Sequence, residues 1–516
     1  MATTQRIIPP TYDKDGHVSF HSVSSPPDDS VALCYMIPTR VIPVIFVPGV
    51  MGSNLSTLEG KAVWLLDSAK QMAEDWTLKG AKARKMILDP KNTKVHDGGI
   101  IPTGTMHDKS ELRRRGWGTV SYMSYGESLV WLENALNDFD TCKTGVRSEL
   151  VNQLVAQAPG VETLTHEEVG LSYKYRFPVH AVGYNWLQGN DDSAKHLHAK
   201  IQEFVSHYIK LGFRCEKVIL VTHSMGGLVA RYYSEVLSQD TDYTAFGLRE
   251  KVLGIVHGVM PTIGAAAIYK RMKLGIEGTT GLVAGSDAEK VTAVLSSAPG
   301  PLQLLPSPEY GMGWLKIKDG NKTMSLPKDD PYSEIYTERQ AWWGLVDDKL
   351  INPLDPAKEM LEKDWATFET TIIQRVAKFH TDMRGKYHPQ TYAFYGASDM
   401  HKAYGDISWR NSSSIFNDDL PREFARAPTT PPRGETYRKS TNIRFHLAAP
   451  EEPGDGTVPM RSGKAPASSN NVKACVPYRG VEHEPAYVPD ATRRFALWAI
   501  TKIAQNVKGT SLEYID

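Results

Sequence analysis

Apolar residues follow one another in short continuous runs at several places in the chain, and these runs predict strands. A strand of a parallel sheet that is covered on both sides is apolar on both faces, so its sequence is a continuous run. The runs with this pattern span residues 41–47, 179–182, 218–221, 252–256 and 392–395. Between the second and third runs, apolar residues recur with helical spacing at Leu197, Ile201, Phe204, Val205 and Tyr208. This alternation of strands and helices predicts an α/β fold with a mainly parallel sheet.

The stretch from 261 to 385 does not continue this alternation and predicts a cap inserted into the sheet core. It begins with small residues, continues with a proline-rich segment and ends with a long amphipathic segment over 360–379. An independent domain is the alternative interpretation. We therefore divide the chain into an irregular N-terminal extension over 1–40, the first part of the core over 41–260, the cap over 261–385, and the second part of the core over 386–516.

Composition narrows the possible functions. The chain has 516 residues, of which 41% are hydrophobic and 23% charged, so it can bury a large core and is not expected to be disordered. Lys+Arg and Asp+Glu both number 59, and this balance argues against a nucleic-acid partner, which would need a positive field. The four cysteines have no paired spacing, so neither a disulfide framework nor a zinc site is predicted. The acidic clusters fit a solvated face better than a metal site, and no cofactor is expected.

The first residues and the longest apolar stretch indicate how the protein would meet lipid. The N-terminal segment lacks the basic start and the apolar stretch of a signal peptide. The longest apolar stretch, 41–51, is interrupted by Pro43 and Pro48 and is shorter than the roughly 20 residues that span a bilayer. We therefore expect a protein that is made in the cytoplasm without a signal peptide and whose contact with a membrane is peripheral.

Ser224 lies at the corner between an apolar run and a helical pattern, within the segment 217–231. A strand that turns sharply into a helix at a serine is typical of the nucleophile elbow, whose usual pattern is G-x-S-x-G. The turn needs small neighbours, which Gly226 and Gly227 supply on the helix side, whereas Thr222 replaces the usual glycine on the strand side. We predict that Ser224 is a nucleophile, and the alternative is a turn without a catalytic role.

A serine nucleophile needs a general base and a carboxylate that orients the base. In this type of fold the acid follows the serine in the chain, and the histidine follows the acid. His483 is the last histidine and precedes the final helical pattern, so it is the predicted base, whereas His223 is predicted to be a packing residue. Two acids compete, because Asp455 lies in the tight segment Pro-Gly-Asp-Gly-Thr-Val-Pro and Asp399 follows the run at 392–395. We favour Asp455, although Asp-Gly turns are also common in loops without a function.

Acyl transfer also needs backbone amides that stabilise the oxyanion. One is expected to be the amide of Met225, next to the serine, and the other is expected in the loop after an early strand. In that loop Gly49 and Gly52 flank Val50 and Met51. The amide of Val50 is the first candidate and that of Met51 the second.

Several segments occur in an order that resembles one enzyme family. They are VPGVMGSNL, YNW, THSMGGLVARYY, LLPSPEYG, TYAFYG, GDGTVP and EHEPAY. Through these motifs, residues 41 to 500 resemble the lecithin:cholesterol acyltransferase and lysosomal phospholipase group of α/β-hydrolases, which acts on phospholipid esters. The departures from that group are Thr222, Asn185 where an aspartate is usual, and the absence of a disulfide pattern and a secretion signal.

The resemblance implies an α/β-hydrolase fold with a large inserted cap and roles for individual residues. The implied nucleophile, acid, base and two oxyanion donors are, in that order, Ser224, Asp455, His483, Val50 and Met225. Trp186 falls where the family places an aromatic residue near the lipid head group.

Part of the cap is expected to act as a lid. Residues 265–268 and 272–276 are expected to form a short mobile helix, with the small-residue stretch 278–285 as its hinge. Leu302, Leu304 and Leu305 are expected to line an acyl channel. A lid that opens at a lipid surface would expose apolar area there.

The leaderless start and the motifs VPGVMGSNL and VHAVGYNWLQGNDDSA also resemble the antibacterial lipase effectors of type VI secretion. The expected function is therefore a serine lipase or phospholipase that cleaves membrane phospholipids in the periplasm of target bacteria, with an immunity protein as a partner. An intracellular lipase, esterase or acyltransferase is one alternative. A catalytically silent hydrolase fold used for binding is another, and the intact set of serine, aspartate and histidine argues against it.

Overall fold

A six-stranded parallel sheet organises the structure. The computed structural model describes residues 5–8, 10–13, 17–21, 31–34, 37–138, 145–277, 281, 283–411, 436–438 and 444–514. The strands of the sheet are β1 (Val44–Val47), β2 (Val179–Ala181), β3 (Val218–His223), β4 (Val252–Gly258), β5 (Thr391–Gly396) and β6 (Val472–Tyr478). Their spatial order is β6-β5-β4-β3-β1-β2, and every neighbouring pair is parallel. The predicted α/β fold is confirmed, and each predicted run overlaps one strand of the sheet, whereas no predicted run covers β6.

The central strands are buried on both faces of the sheet. In β1, Val44 and Phe46 pack into one apolar cluster, whereas Ile45 and Val47 pack into another on the opposite face. None of these four side chains is more than 2% exposed. This double burial explains why the sequence of β1 is a continuous apolar run.

Four long helices cover the two faces of the sheet. They are α1 (Tyr122–Leu136), α2 (Asn190–Lys210), α3 (Gly226–Glu235) and α4 (Asp490–Ala504). Helices α2 and α3 pack on the face that bears Ile45, and α1 and α4 pack on the face that bears Val44. The apolar stripe predicted from the sequence lies along α2, so helix α2 is confirmed.

Smaller elements precede and interrupt the core. Two strand pairs lie in the N-terminal extension, Gln5–Ile7 with Val31–Leu33 and Pro10–Tyr12 with Val18–Phe20. After β1, a three-stranded antiparallel sheet has the order Ala62–Trp64, Leu55–Thr57 and Thr93–Val95. The short helices before β2 are Ala69–Trp76, Ala81–Ile87, Lys109–Arg114 and His166–Ser172.

A second sheet of five strands is separate from the central one. Its strands, in spatial order, are Lys322–Leu326, Leu315–Asp319, Ile407–Asn411, Arg444–Leu447 and Thr436–Arg438. The second and third strands are parallel, and the other pairs are antiparallel. Two strands come from the region predicted as the cap, 261–385, and three come from the region predicted as the second part of the core. Strand pairing therefore joins two chain segments that the sequence analysis places in different regions.

The predicted lid segment forms one continuous helix, Ala267–Leu274, which packs on a second helix, Ala288–Leu295. The predicted hinge, 278–285, lies partly outside the described residues. The amphipathic segment forms three consecutive helical stretches, Leu361–Thr370, Thr371–Ala377 and Lys378–Met383. None of the helices in the described ranges is both long enough and apolar enough to cross a membrane.

Candidate active site

Ser224 occupies the sharp turn between β3 and α3. Its φ is +51°, a left-handed conformation that is strained for a residue with a side chain. The amide of Ser224 donates to the carbonyl oxygen of Gly258 on β4 (2.9 Å), which fixes the turn to the neighbouring strand. Thr222, which replaces the usual glycine, is accommodated in β3 because its hydroxyl forms a hydrogen bond with Nδ1 of His257 (2.8 Å). The sequence departure at Thr222 is therefore compatible with an elbow at Ser224.

Ser224, His483 and Asp455 form one hydrogen-bonded chain. The Ser224 hydroxyl donates to Nε2 of His483 (2.8 Å), and Nδ1 of His483 donates to Oδ2 of Asp455 (2.8 Å). The other carboxylate oxygen accepts from the amides of Thr457 and Val458 (2.9 and 2.7 Å). Both oxygens of Asp455 are thus engaged, and the imidazole is held with Nε2 towards the serine. A histidine in this orientation can take the proton of the serine hydroxyl.

The three side chains lie on loops at one edge of the central sheet. Ser224 follows β3, and His483 follows β6. Asp455 follows a short strand whose partner strand, Ser398–Ala403, comes directly after β5. The carboxyl ends of parallel strands meet at this edge, which is where α/β folds bind their ligands. Asp399, the alternative acid, lies on Ser398–Ala403 with an exposed side chain, and among the described contacts it forms no hydrogen bond with His483.

The expected oxyanion donors come from two separate segments of the chain. Met225 directly follows Ser224 and precedes α3, whereas Val50 and Met51 lie in the turn after β1. In the part of the chain that the structure describes, none of these three amides donates to a protein acceptor. The amides therefore remain available to an oxygen atom of a ligand.

The predicted substrate contacts are buried. Trp186, Leu302, Leu304 and Leu305 are each at most 3% exposed. The ring of Trp186 packs 5.3 Å from that of Trp64, and all four predicted contacts belong to the apolar cluster that joins the cap to the sheet. Contact between these buried side chains and a lipid stays a prediction.

The structure shows contacts near the site for two further residues. The sequence analysis did not single out Arg271, and it interpreted His223 incompletely. Arg271, on the cap helix Ala267–Leu274, donates from Nη2 to the hydroxyl of Thr457 in the acid loop (3.4 Å). Burial lowers the pKa of Arg271 below its usual range, although the charge of Asp455 opposes this shift. His223 is not merely a packing residue, because it forms hydrogen bonds with Tyr125 and with the backbone of His483.

A metal site would need several His, Cys, Asp or Glu side chains close together. Within the described ranges, no group of three or more His, Cys, Asp and Glu side chains could hold a metal ion.

Known proteins resemble this chain in sequence and in structure. Residues 161–343 match the family model for lecithin:cholesterol acyltransferase. A chain in the crystal structure of the complex of Tle4, a type VI lipase effector, with Tli4 is 30% identical. That match covers 90% of this chain and 98% of the other, with a TM-score of 0.77. Phospholipase PlaB from Legionella pneumophila is 11% identical over 79% of this chain and 81% of its own, and its TM-score of 0.20 is too low to support an argument. A search of curated proteins gives no match.

Proposed function

This chain belongs, with Tle4, to the lecithin:cholesterol acyltransferase group of α/β-hydrolase lipases, and we propose on that premise that it is a serine phospholipase. It hydrolyses acyl ester bonds of membrane phospholipids through an acyl-enzyme intermediate. The observation that carries the proposal is the hydrogen-bonded chain from Ser224 through His483 to Asp455. The neighbouring amides without an acceptor support it further.

The reaction has two halves, and His483 moves a proton in each. The Ser224 oxygen attacks the ester carbonyl while Nε2 of His483 takes the hydroxyl proton. The bond between the carbonyl carbon and the leaving alcohol oxygen then breaks, and His483 gives the proton to that oxygen. Water attacks the acyl-serine, and His483 takes the proton of the water. The free fatty acid leaves as the proton returns to Ser224.

Asp455 and the backbone amides assist without forming a covalent bond. Asp455 keeps the His483 imidazole in the required tautomer and stabilises the imidazolium. The amide of Met225, together with that of Val50 or Met51, donates to the oxygen that becomes negative in each tetrahedral intermediate. Loss of one such donor costs about 3–4 kcal/mol in comparable sites.

Vesicles of defined phospholipids, incubated with the protein and analysed by lipid mass spectrometry, test the proposed reaction. We expect release of fatty acid and lysophospholipid by the natural protein, and no release by the variants Ser224→Ala or His483→Ala. A fluorophosphonate probe should label the natural protein at Ser224. Ser238→Ala is a matched control, because the one partner of the Ser238 hydroxyl among the described residues is the carbonyl oxygen of Ser234 (2.6 Å).

The outcomes separate catalysis from binding. If either Ser224→Ala or His483→Ala keeps near-natural turnover, the assignment of the triad is wrong. A natural protein that binds vesicles but releases no fatty acid and takes no label supports the catalytically silent alternative. Both variants should fold, because the triad side chains do not form the sheet core.

The proposed biological role is that of an antibacterial effector, delivered by type VI secretion to the periplasm of target bacteria. The support is the likeness to Tle4 over nearly its whole chain. Because Tle4 was crystallised with Tli4, we extend the proposal to an immunity protein that covers the active-site mouth or locks the cap. An intracellular lipase without a toxic role is the second candidate.

Expression in two compartments of a bacterium tests this role. We expect cytosolic expression to be tolerated, and expression with an added periplasmic signal to cause lysis that depends on Ser224. If correctly folded periplasmic protein leaves growth and phospholipid composition unchanged, the antibacterial role is wrong and the intracellular lipase is favoured.

A further inference from the structure

A second hydrogen-bonded chain, separate from the triad, connects the turn after β1 to the loop of His483. The amide of Gly49 donates to the hydroxyl oxygen of Tyr125 (3.0 Å). The hydroxyl of Tyr125 and Nδ1 of His223 are 2.9 Å apart, and Nε2 of His223 is 2.7 Å from the carbonyl oxygen of His483. Tyr125 and His223 are both only 4% exposed, so water does not compete for these contacts.

The proton positions in this chain follow from the acceptors at its ends. The carbonyl oxygen of His483 can only accept, so Nε2 of His223 carries the proton and Nδ1 is the acceptor. The Tyr125 hydroxyl must then donate to Nδ1, while its oxygen accepts from the amide of Gly49. Burial lowers the pKa of His223 to about 3 and raises that of Tyr125, so both groups stay neutral in the working range of an esterase.

The turn after β1 packs closely on this chain. A Cβ atom added at Gly49 would lie 2.9 Å from Nδ1 of His223 and 3.1 Å from Cβ of Ser224. A Cβ atom added at Gly52 would lie 2.7 Å from the hydroxyl oxygen of Tyr125. The two glycines therefore allow the turn that carries the candidate oxyanion amides to approach both the serine and the Tyr125 hydroxyl.

We propose that Tyr125 and His223 are positioning residues, which hold the oxyanion turn and the His483 loop in register on either side of Ser224. The inference rests on the proposed serine hydrolase function. Neither residue touches the substrate: His223 acts through the backbone of His483, and Tyr125 acts through the amide of Gly49, next to Val50. Loss of the link should leave substrate binding intact and impair the chemical step, since that step depends on the relative placement of the oxyanion amides and the base.

The variant Tyr125→Phe tests this inference, because it keeps the ring that packs 4.9 Å from Phe46 and removes only the hydroxyl. With a soluble p-nitrophenyl ester, we expect kcat to fall by roughly 10- to 100-fold, the effect of a misplacement of about 1 Å on oriented groups. KM should stay within about twofold, because ground-state contacts are unchanged. Tyr233→Phe is the matched control, since Tyr233 is also buried and its hydroxyl has no partner among the described residues.

A double-mutant cycle distinguishes a shared positioning role from two separate packing defects. His223→Gln should also lower kcat, and the double variant Tyr125→Phe, His223→Gln should be no worse than the poorer single variant. The pH at which activity is half-maximal should be the same in all active variants, because His223 does not titrate in that range.

Each outcome of these measurements decides for or against the inference. A Tyr125→Phe variant with natural kcat, effects that multiply in the double variant, or a shifted pH profile would each overturn it. Equal losses in Tyr125→Phe and Tyr233→Phe would show a general packing defect and overturn it as well. Failure of the proposed function itself looks different, because the natural protein would then take no fluorophosphonate label at Ser224 and would hydrolyse no ester.

Discussion

The variant Arg271→Gln tests whether the cap recognises the phosphate of a phospholipid. The Arg271 guanidinium lies beside the acid loop, and its one hydrogen bond in the described part of the chain is the long contact with Thr457 (3.4 Å). The nearby carboxylates are already engaged, since Asp455 binds His483 and Glu277 pairs with Lys270 (2.5 Å). A partly buried cation with unused donors, beside the loop of Asp455, is suited to an anionic group of the substrate.

The size of the expected effect follows from the charge of the contact. A hydrogen bond to a charged group contributes about 1.5–3 kcal/mol. If Arg271 makes one such bond to the phosphate in the transition state, its loss lowers kcat/KM by about 10- to 150-fold, at 1.36 kcal/mol for each factor of ten. An uncharged ester has no phosphate to contact, so its hydrolysis should change by less than about twofold.

The assay compares phosphatidylglycerol with a diacylglycerol of the same acyl chains, both in mixed micelles of one detergent. Arg271→Lys should recover part of the activity on phosphatidylglycerol, because the charge is kept but the paired donors are lost. Arg410→Gln is the matched control, since Arg410 lies in the second sheet with its side chain 48% exposed. Equal losses on both substrates, or no loss on either, would refute the reasoning.

Three further predictions concern the acid, the cap and the buried charges. Asp455→Asn should lower kcat by about 10⁴-fold through a wrong tautomer of His483, whereas Asp399→Asn should have little effect. If Asp399→Asn lowers kcat more than Asp455→Asn in an ester assay, the wrong acid is assigned. Because Ser224 is only 3% exposed, activity should rise above the critical micelle concentration of a short-chain phospholipid, and a flat response would remove the case for a lid. Burial alone would raise the pKa of Glu133, but the charge of Arg115 and the hydrogen bond of His107 lower it from 4.5 to about 2. Its stabilising contribution is therefore present above pH 4.5 and is lost as the pH falls towards 2. In Glu133→Gln, the free energy of unfolding, measured by urea denaturation, should therefore decrease less steeply as the pH falls through that window. An unchanged slope would contradict this.

The elements predicted well from the sequence are those whose signal is local. Strands β1 and β3 are buried on both faces, so their own residues form apolar runs, and the elbow at Ser224 combines a strand, a serine, two glycines and a helix within one short segment. Asp455 and His483 needed the additional rule of chain order. The structure places His483 within hydrogen-bond distance of both Asp455 and Ser224, while the catalytic role of these residues stays a proposal.

The elements that the sequence analysis did not predict depend on distant partners. Strand β6 lies at the edge of the sheet, where Ala474 and Val476 are buried but Lys473 and Pro477 are exposed, so it forms no continuous apolar run. The second sheet pairs Leu315–Asp319 with Ile407–Asn411 across a long stretch of chain. No periodicity within either strand indicates its partner, and a division of the chain into consecutive regions therefore separates strands that pair.

His223 shows how a local rule can be sound and still give an incomplete interpretation. Successive residues at the end of a strand point in opposite directions, so the side chain of His223 is expected to point away from that of Ser224. The same rule does not say what lies in the direction in which His223 points. Its partners are 98 residues before it, at Tyr125, and 260 residues after it, at His483. A buried histidine with both ring nitrogens hydrogen-bonded is constrained by its two partners, since a replacement without both a donor and an acceptor leaves a buried polar group without a partner. Through these contacts His223 links the turn after β1 to the loop of His483, and this link cannot be read from the residues around Ser224 alone.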